Sequence, residues 1–368
     1  MKIVCPQEEL SKGVNIVSKA VPSKSPMSIL ECILIDASSG SIRLIANDME
    51  IGIETVINGR IENPGIVALD AGVFTDLVRK LPSGDVTIDI DSNFKASIKC
   101  GKVKLDILGR SGEEFSYLPR IERNDKVIIS QFSLREIIRQ TIFSTADNDN
   151  NKVMCGELFH VRGNKLRVVA LDGHRIAVRE IELKESYDEK KVIVPKKALN
   201  EISKIINGSI DDIVDIYLSK NHILFEFENT KMVSRLFEGD FFEVDQMISA
   251  NYETRIKISN KELHSSIDRS TLLIKEGEKK PIIMDIKDNV INMKMSSIIG
   301  NMDEDIEIVK EGKDLVIGFN PKFIMDALRV VDDEEIYVYF VNSKSPCFIK
   351  NENNSYVYMI LPVNVNVG

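Results

Sequence analysis

Apolar and polar residues alternate along most of this chain, and a few longer stretches switch to the spacing of an amphipathic helix. Residues 166–178 are the most distinctive stretch. Two short apolar runs there flank a polar knot, Asp172-Gly173-His174-Arg175. Asp-Gly between two such runs predicts a hairpin, because the turn needs positive φ. Polar groups packed into such a turn either face water or form one wall of a site.

The pattern repeats three times. A short β-branched strand, a polar cap and an amphipathic helix occur at Lys2–Val4 with 7–20, at Val127–Ile129 with 133–143, and at Ile256–Ile258 with 260–271. The spacing is about 126 residues. A second strand-to-helix step follows about 65 residues after each start, predicting helices over 71–81, 196–206 and 321–330. Alternating strands lie between, at 41–53, 166–178 and 290–295. Each third therefore reads as two helices and roughly eight strands, an α+β fold with antiparallel sheets. The period is too long for a solenoid unit and long enough for a domain with its own core. The boundaries fall at the charged stretch 120–125 and near 250–253, giving domains 1–124, 125–251 and 252–368.

Composition narrows this reading. At 368 residues and 43% hydrophobic, the chain can bury several cores. No run approaches the roughly 18 apolar residues of a membrane helix, and the start reads as a strand without a signal peptide. The 5 cysteines are scattered and form no Cys-x-x-Cys, which fits a reducing cytoplasm.

The net charge of −9 argues against nucleic acid until its distribution is considered. The six predicted helices hold 13 Lys/Arg against 8 Asp/Glu, a net of +5, leaving −14 elsewhere. Leu10, Val14 and Val17 form a buried stripe, with Lys12 and Lys19 seven apart on the other side. Leu199, Ile202 and Ile206 are mirrored by Lys197 and Lys204, and Ile324, Ala327 and Leu328 by Lys322 and Arg329. Arg135 and Arg139, and Arg79 and Lys80, add to the pattern. Basic helix faces in an acidic protein suit a polyanion met on one surface, through sequence-independent and salt-sensitive phosphate contacts. With no Trp, single-strand stacking platforms are disfavoured.

Four segments carry a resemblance: 170–178, Val192–Lys197, Ile317–Asn320 and Tyr358–Val363. With the three-fold repeat, the chain resembles the bacterial DNA polymerase III β subunit, the sliding clamp (DnaN) family, over its whole length. The resemblance implies three repeated clamp domains, each with two helices packed on antiparallel sheets, forming half of a closed ring. Two copies would close head to tail around duplex DNA, as a cytoplasmic processivity factor without catalytic residues, metal or cofactor. It implies partners as well: double-stranded DNA without sequence preference, the replicative polymerase catalytic subunit, a clamp loader, and other proteins with short clamp-binding peptides, but no membrane.

Carried onto this chain, the partner-peptide groove comprises Met154, Leu171, Gly173, His174, Arg175, Ile176, Phe242, Met247, Asn320, Phe323, Met359, Ile360, Leu361, Pro362 and Val363. Phe242 stands where the family commonly has Pro, Gln246 where Arg is common, and Asn364 where a basic residue is common. Lys24 and Lys152, in loops, join the helix cations, Lys196 among them, as DNA contacts. The subunit interface would pair Leu272 and Leu273 with an edge strand carrying Val103 and Leu105.

Two other readings compete. Asp172 and His174 could be an acid–base couple, but no P-loop, His-Glu-x-x-His, Gly-x-Ser-x-Gly or carboxylate cluster at metal spacing accompanies them. The same domains could also serve a DNA-binding or structural protein that never forms a ring.

Overall fold

The computed structural model describes residues 1–124, 126–248, 251–275, 277–278 and 280–364. Asp125, the expected start of the second repeat, and Ala250, within its expected end, lie outside the described residues.

Seven helices occur among the described residues: α1 (Gln7–Val17), α2 (Ala71–Lys80), α3 (Gln131–Arg139), α4 (Lys196–Ile205), α5 (Asp245–Ile248), α6 (Asn260–Thr271) and α7 (Pro321–Leu328). All but α5 are the six that periodicity predicts, and most end earlier. Residues Ser18–Ala20 and Ile142–Ser144 tighten into 3-10 turns, and Arg329 caps α7 instead of continuing it. Polar caps explain where several helices start. Asp70 accepts from the Val73 amide, Ser130 from Ser133, Ser259 from Glu262 and Asn320 from Lys322. α1 differs, because Pro6 precedes it without a side-chain cap.

The chain divides into two compact units. The first is Met1–Leu134 with Lys197–Leu236; the second is Arg135–Lys196 with Phe237–Gly368. The division passes through the middle third because its strands enter two different sheets.

In the first unit, an antiparallel five-stranded sheet runs in the order 60–63, 2–6, 85–90, 95–100 and 103–108. An antiparallel eight-stranded sheet runs 126–130, 213–218, 222–227, 230–235, 51–57, 42–47, 32–36 and 66–70. Strand 230–235 pairs with 51–57, and the Thr55 and Thr230 hydroxyls meet at 2.8 Å in the buried seam. α1 lies on this sheet with Leu10, Val14 and Val17 buried, as its stripe predicts. A Cβ at Gly13 would sit 2.6 Å from Ile57 Cγ2, so only glycine lets the helix approach so closely.

In the second unit, an antiparallel seven-stranded sheet runs 156–171, 175–195, 356–360, 347–350, 335–340, 254–259 and 309–312. A four-stranded sheet runs 301–307, 290–296, 282–287 and 315–319. The main core gathers both sheets with α6 and α7 around Ile267, Ile291, Phe319, Ile324 and Tyr358. Strand 356–360 has two apolar faces. Tyr356, Tyr358 and Ile360 enter this core, while Val357 and Met359 face the other way. The strand count per third differs from the expectation of eight. Strands 156–171 and 175–195 each run through positions where the first third breaks its chain into shorter strands.

Candidate functional site

The site is built on the turn between strands 156–171 and 175–195. Leu171 pairs with Ile176, and the Asp172 amide donates to the Arg175 carbonyl at 3.3 Å. The two central turn residues are therefore Gly173 and His174, one position later than the Asp-Gly pattern suggests. Gly173 takes φ +82° at the first central position, where a type II′ turn places glycine. Asp172 stabilises the turn from outside, its Oδ1 accepting from the His174 and Arg175 amides at 3.1 and 3.2 Å.

Arg175 does not line an open wall, as the sequence reading expected. Its side chain is 7% exposed and every nitrogen is engaged. Nε donates to Asp172 Oδ2 (2.9 Å), Nη1 to Asp326 Oδ2 (2.7 Å) and Nη2 to the Phe143 carbonyl (2.5 Å). The Phe143 and Phe323 rings lie 5.4 and 4.6 Å from its guanidinium carbon. A buried guanidinium needs such partners, since an unpaired one is strongly destabilising. Arg175 is thus a pin that ties the turn to α7. Neither Phe143 nor Asp326 was identified from sequence. Asp326 stands three residues after Phe323 on α7, a spacing that could have singled it out.

Leu171, Ile176 and Met359 form an apolar floor with Val169, Val178, Val244, Tyr339, Phe348 and Val357; Met154, Phe241 and Ile248 pack against it. Met154 also borders the turn, its Cε 3.6 Å from where a Gly173 Cβ would be. Ile360 is corrected: strand alternation sends it into the main core, 1% exposed, away from the floor. His174 is exposed and its ring lies 5.7 Å from Phe323. Asn320 caps α7. The terminal segment is sewn in place: the Leu361 amide donates to the His174 carbonyl and the Val363 amide to that of Gly318, both at 2.9 Å. Pro362, between them, has no amide proton to place. Phe242 and Met247 remain 37% and 49% exposed. Phe242 packs edge-on against Phe241, and the Met247 amide donates to the Val244 carbonyl. Single exposed apolar residues are ordinary; here two stand beside an apolar floor.

The candidate DNA-contacting cations fall into two groups. Lys12 pairs with Glu228 (2.8 Å), Arg79 with Asp76 (2.5 Å), Lys196 with Asp147 (2.6 Å) and Lys204 with Glu201 (2.9 Å). Lys197 pairs with Asp48 and Glu50, Arg139 with Glu136 and Asp332, and Arg329 with Asp326 at 3.8 Å. Burial alone would lower the Lys197 pKa, but the hydrogen bond and charge of Asp48, helped by Glu50, hold it above the usual lysine value. Lys19, Lys24, Lys80, Arg135, Lys152 and Lys322 are exposed, with no ion pair among the described residues. The helix faces are therefore not uniformly basic. Exposed pairs are worth only about 0–1 kcal/mol, so a phosphate can compete for the held cations too.

Val103 and Leu105 lie on the edge strand 103–108, where Leu105 is 40% and Leu108 77% exposed. Leu272 caps α6 and is 78% exposed, whereas Leu273 packs on the main core of the second unit.

Residues 1–119, 128–243 and 245–364 match the N-terminal, central and C-terminal domains of the DNA polymerase III beta subunit. The chain belongs to the DNA polymerase III β subunit, or sliding-clamp, family. It is 32% identical to the beta sliding clamp of Staphylococcus aureus over 361 residues, 95% of this chain and 96% of that relative. A putative DNA polymerase III beta subunit from Eubacterium rectale is 60% identical, with a TM-score of 0.97 covering 99% of this chain and 100% of that one. The sliding clamp of Bacillus subtilis is 31% identical, with a TM-score of 0.96 and full coverage of both chains. Sliding-clamp membership accounts for the three-fold repeat and for the mixed helix and sheet content. No described helix is long and apolar enough to cross a membrane.

Proposed function

We propose that this chain is a processivity factor whose two copies close into a ring around duplex DNA in the cytoplasm. It acts by topology, without catalytic residues, metal or cofactor. Domains 1–124, 125–251 and 252–368 each contribute two helices to the lining of the hole. Lys12, Lys19, Lys24, Arg79, Lys80, Arg135, Arg139, Lys152, Lys196, Lys197, Lys204, Lys322 and Arg329 meet phosphates there. Leu272 and Leu273 of one copy pack on Val103 and Leu105 of the other, and a clamp loader opens that joint.

The floor of Leu171, Ile176 and Met359, with its lip of Phe242 and Met247, receives a short peptide of the replicative polymerase or another partner. A tethered polymerase then experiences a high local concentration of primer ends. The observation that carries this reading is an apolar floor with exposed apolar residues beside it, next to a turn whose Arg175 is fixed to Asp326. The relatives named sliding clamps support the ring.

The test is retention on a nicked circular duplex after loading, before and after one cut that linearises it. Retention on the circle and loss on cutting are expected; equal loss from both forms would overturn the ring.

A further inference from the structure

Glu157 is fully buried in the second unit, and neither carboxylate oxygen has a hydrogen-bond partner among the described residues. The Thr141 hydroxyl, just past the end of α3, lies beside it but donates to the Ile137 carbonyl at 2.7 Å. Ser144, in the 3-10 turn Ile142–Ser144, is equally buried, and its hydroxyl is unpartnered too. Strand register brings a cation within reach. Glu157 pairs with Val194, so the two side chains share a sheet face, and Lys196 follows one pleat on as the first residue of α4. Such diagonal neighbours lie about 7–8 Å apart, a gap that a lysine side chain spans. The Lys196 charge favours ionisation of Glu157, although burial outweighs it. Lys196 nevertheless turns outward. Its Nζ donates to Asp147 Oδ1 at 2.6 Å and to the Thr145 carbonyl at 3.5 Å, and the Asp147 side chain is 91% exposed. Lys196 holds the Asp147 carboxyl below the usual range, and Lys322 and Arg175 act on it in the same direction.

We propose that Lys196 is a proton-controlled switch, resting on Asp147 while Glu157 is neutral and drawn inward to Glu157 once that carboxyl ionises. The relative worth of the two pairs sets the direction. A buried charge without a counter-ion is strongly destabilising, whereas an exposed pair contributes little. Neutral Glu157 makes no claim on the ammonium, and Lys196 keeps its surface partner. As pH rises, Glu157 loses its proton to solvent and becomes the stronger partner. Lys196 then leaves the surface, and the Asp147 carboxylate is uncovered beside the start of α4. Under the DNA reading above, one phosphate contact is withdrawn as pH rises. The exchange itself does not depend on that reading, and its failure would leave the ring standing.

The experiment measures how fast Lys196 is acetylated by trace acetic anhydride in the full-length chain without DNA, with mass spectrometry as the readout. Its rate is divided by that of exposed Lys24 in the same sample, which cancels the ordinary pH dependence of lysine reactivity. Buried glutamates titrate as high as about pH 8–9, so the scan runs from about pH 6 to about 10. The native chain, Glu157→Gln and Asp147→Asn are compared. The expected result is a ratio that falls roughly threefold or more with rising pH in the native chain, as the ammonium is taken into a buried pair. The ratio should stay flat in Glu157→Gln, which cannot ionise. In Asp147→Asn the fall should begin at lower pH, because the outer competitor for Lys196 is gone. A flat ratio in the native chain, or the same fall in Glu157→Gln, would overturn the switch. Should Glu157→Gln fail to fold, Asp147→Asn decides, since its substitution lies at the surface. A fall that begins there at the native pH would overturn the exchange between the two acids.

Discussion

Two hairpins occupy the same place in successive repeats and use one backbone device for different ends. Strands 42–47 and 51–57 flank Asp48-Met49-Glu50; strands 156–171 and 175–195 flank Asp172-Gly173-His174. In both, the aspartate Oδ1 accepts from the amides two and three residues on. In both, the next residue has positive φ: Met49 at +74° and Gly173 at +82°. The remaining carboxylate oxygen then differs. Asp48 Oδ2 holds Lys197, whereas Asp172 Oδ2 holds Arg175.

The faces behind the turns differ further. In the first hairpin, Leu118 seats on Gly52, its Cγ 2.8 Å from where a Cβ would be. The Asn47 side chain donates to the Ser116 carbonyl at 3.1 Å, pinning the covering segment. In the second, Leu171 and Ile176 occupy the positions of Asn47 and Gly52, and Phe242 and Met247 are left exposed. One turn device thus carries a polar pin and a glycine seat in one hairpin and a purely apolar floor in the other.

The largest expected effect comes from removing the pin. Arg175→Ala leaves Asp172 and Asp326 without their partner and is expected to destabilise the second unit by about 3–5 kcal/mol. Peptide affinity should be lost with it; denaturant midpoints and peptide titrations check both. Arg175→Lys should not rescue, since one ammonium cannot replace a guanidinium with three separate acceptors.

Gly52→Val, in the first hairpin, forces Leu118 aside and is expected to cost about 1–3 kcal/mol in chemical denaturation while leaving peptide affinity unchanged.

A buried acid gives a pH test. Glu157 is the second residue of strand 156–171, is fully buried, and has no hydrogen-bond partner for either carboxylate oxygen. Burial raises its pKa well above the ordinary value, outweighing Thr141 and Lys196, which favour ionisation. The folded state therefore keeps a proton that the unfolded chain releases above about pH 4.3. Stability contributed by neutral Glu157 is present below that pH and falls as pH rises towards the folded-state value. Glu157→Gln is expected to flatten the decline in unfolding midpoint between about pH 5 and 8; a parallel decline in both proteins contradicts it.

The smallest effect comes from exchanging the turn residues. Gly173→Met should be tolerated at about 1 kcal/mol, because Met49 already takes a similar positive φ in the matching turn. Met49→Gly should change stability by less, as relieved strain and added chain entropy oppose each other.

Much of this was legible in the sequence. Helix stripes such as Leu10, Val14 and Val17 specify their buried faces because the 3.6-residue period admits few alternatives. The polar knot marked its turn because positive φ restricts the residue choice. What escaped were side chains meeting across long separations. Nothing near Arg175 in sequence reveals that the Phe143 carbonyl and Asp326 would surround it, so it was read as a wall. Ile360 was read with its neighbours because a contiguous motif hides the two-residue alternation of a strand buried on both faces. The helix cations were visible, but carboxylates brought beside them from distant segments, such as Glu228 beside Lys12, were not.

The most direct test of the proposed groove is photocrosslinking of a clamp-binding peptide that carries a photoreactive group at its apolar anchor, followed by mapping of the modified residues. Adducts at Phe242, Met247 and Met359–Val363 are predicted. Adducts concentrated at Asn47–Gly52 and Ser116–Leu118 would contradict the account.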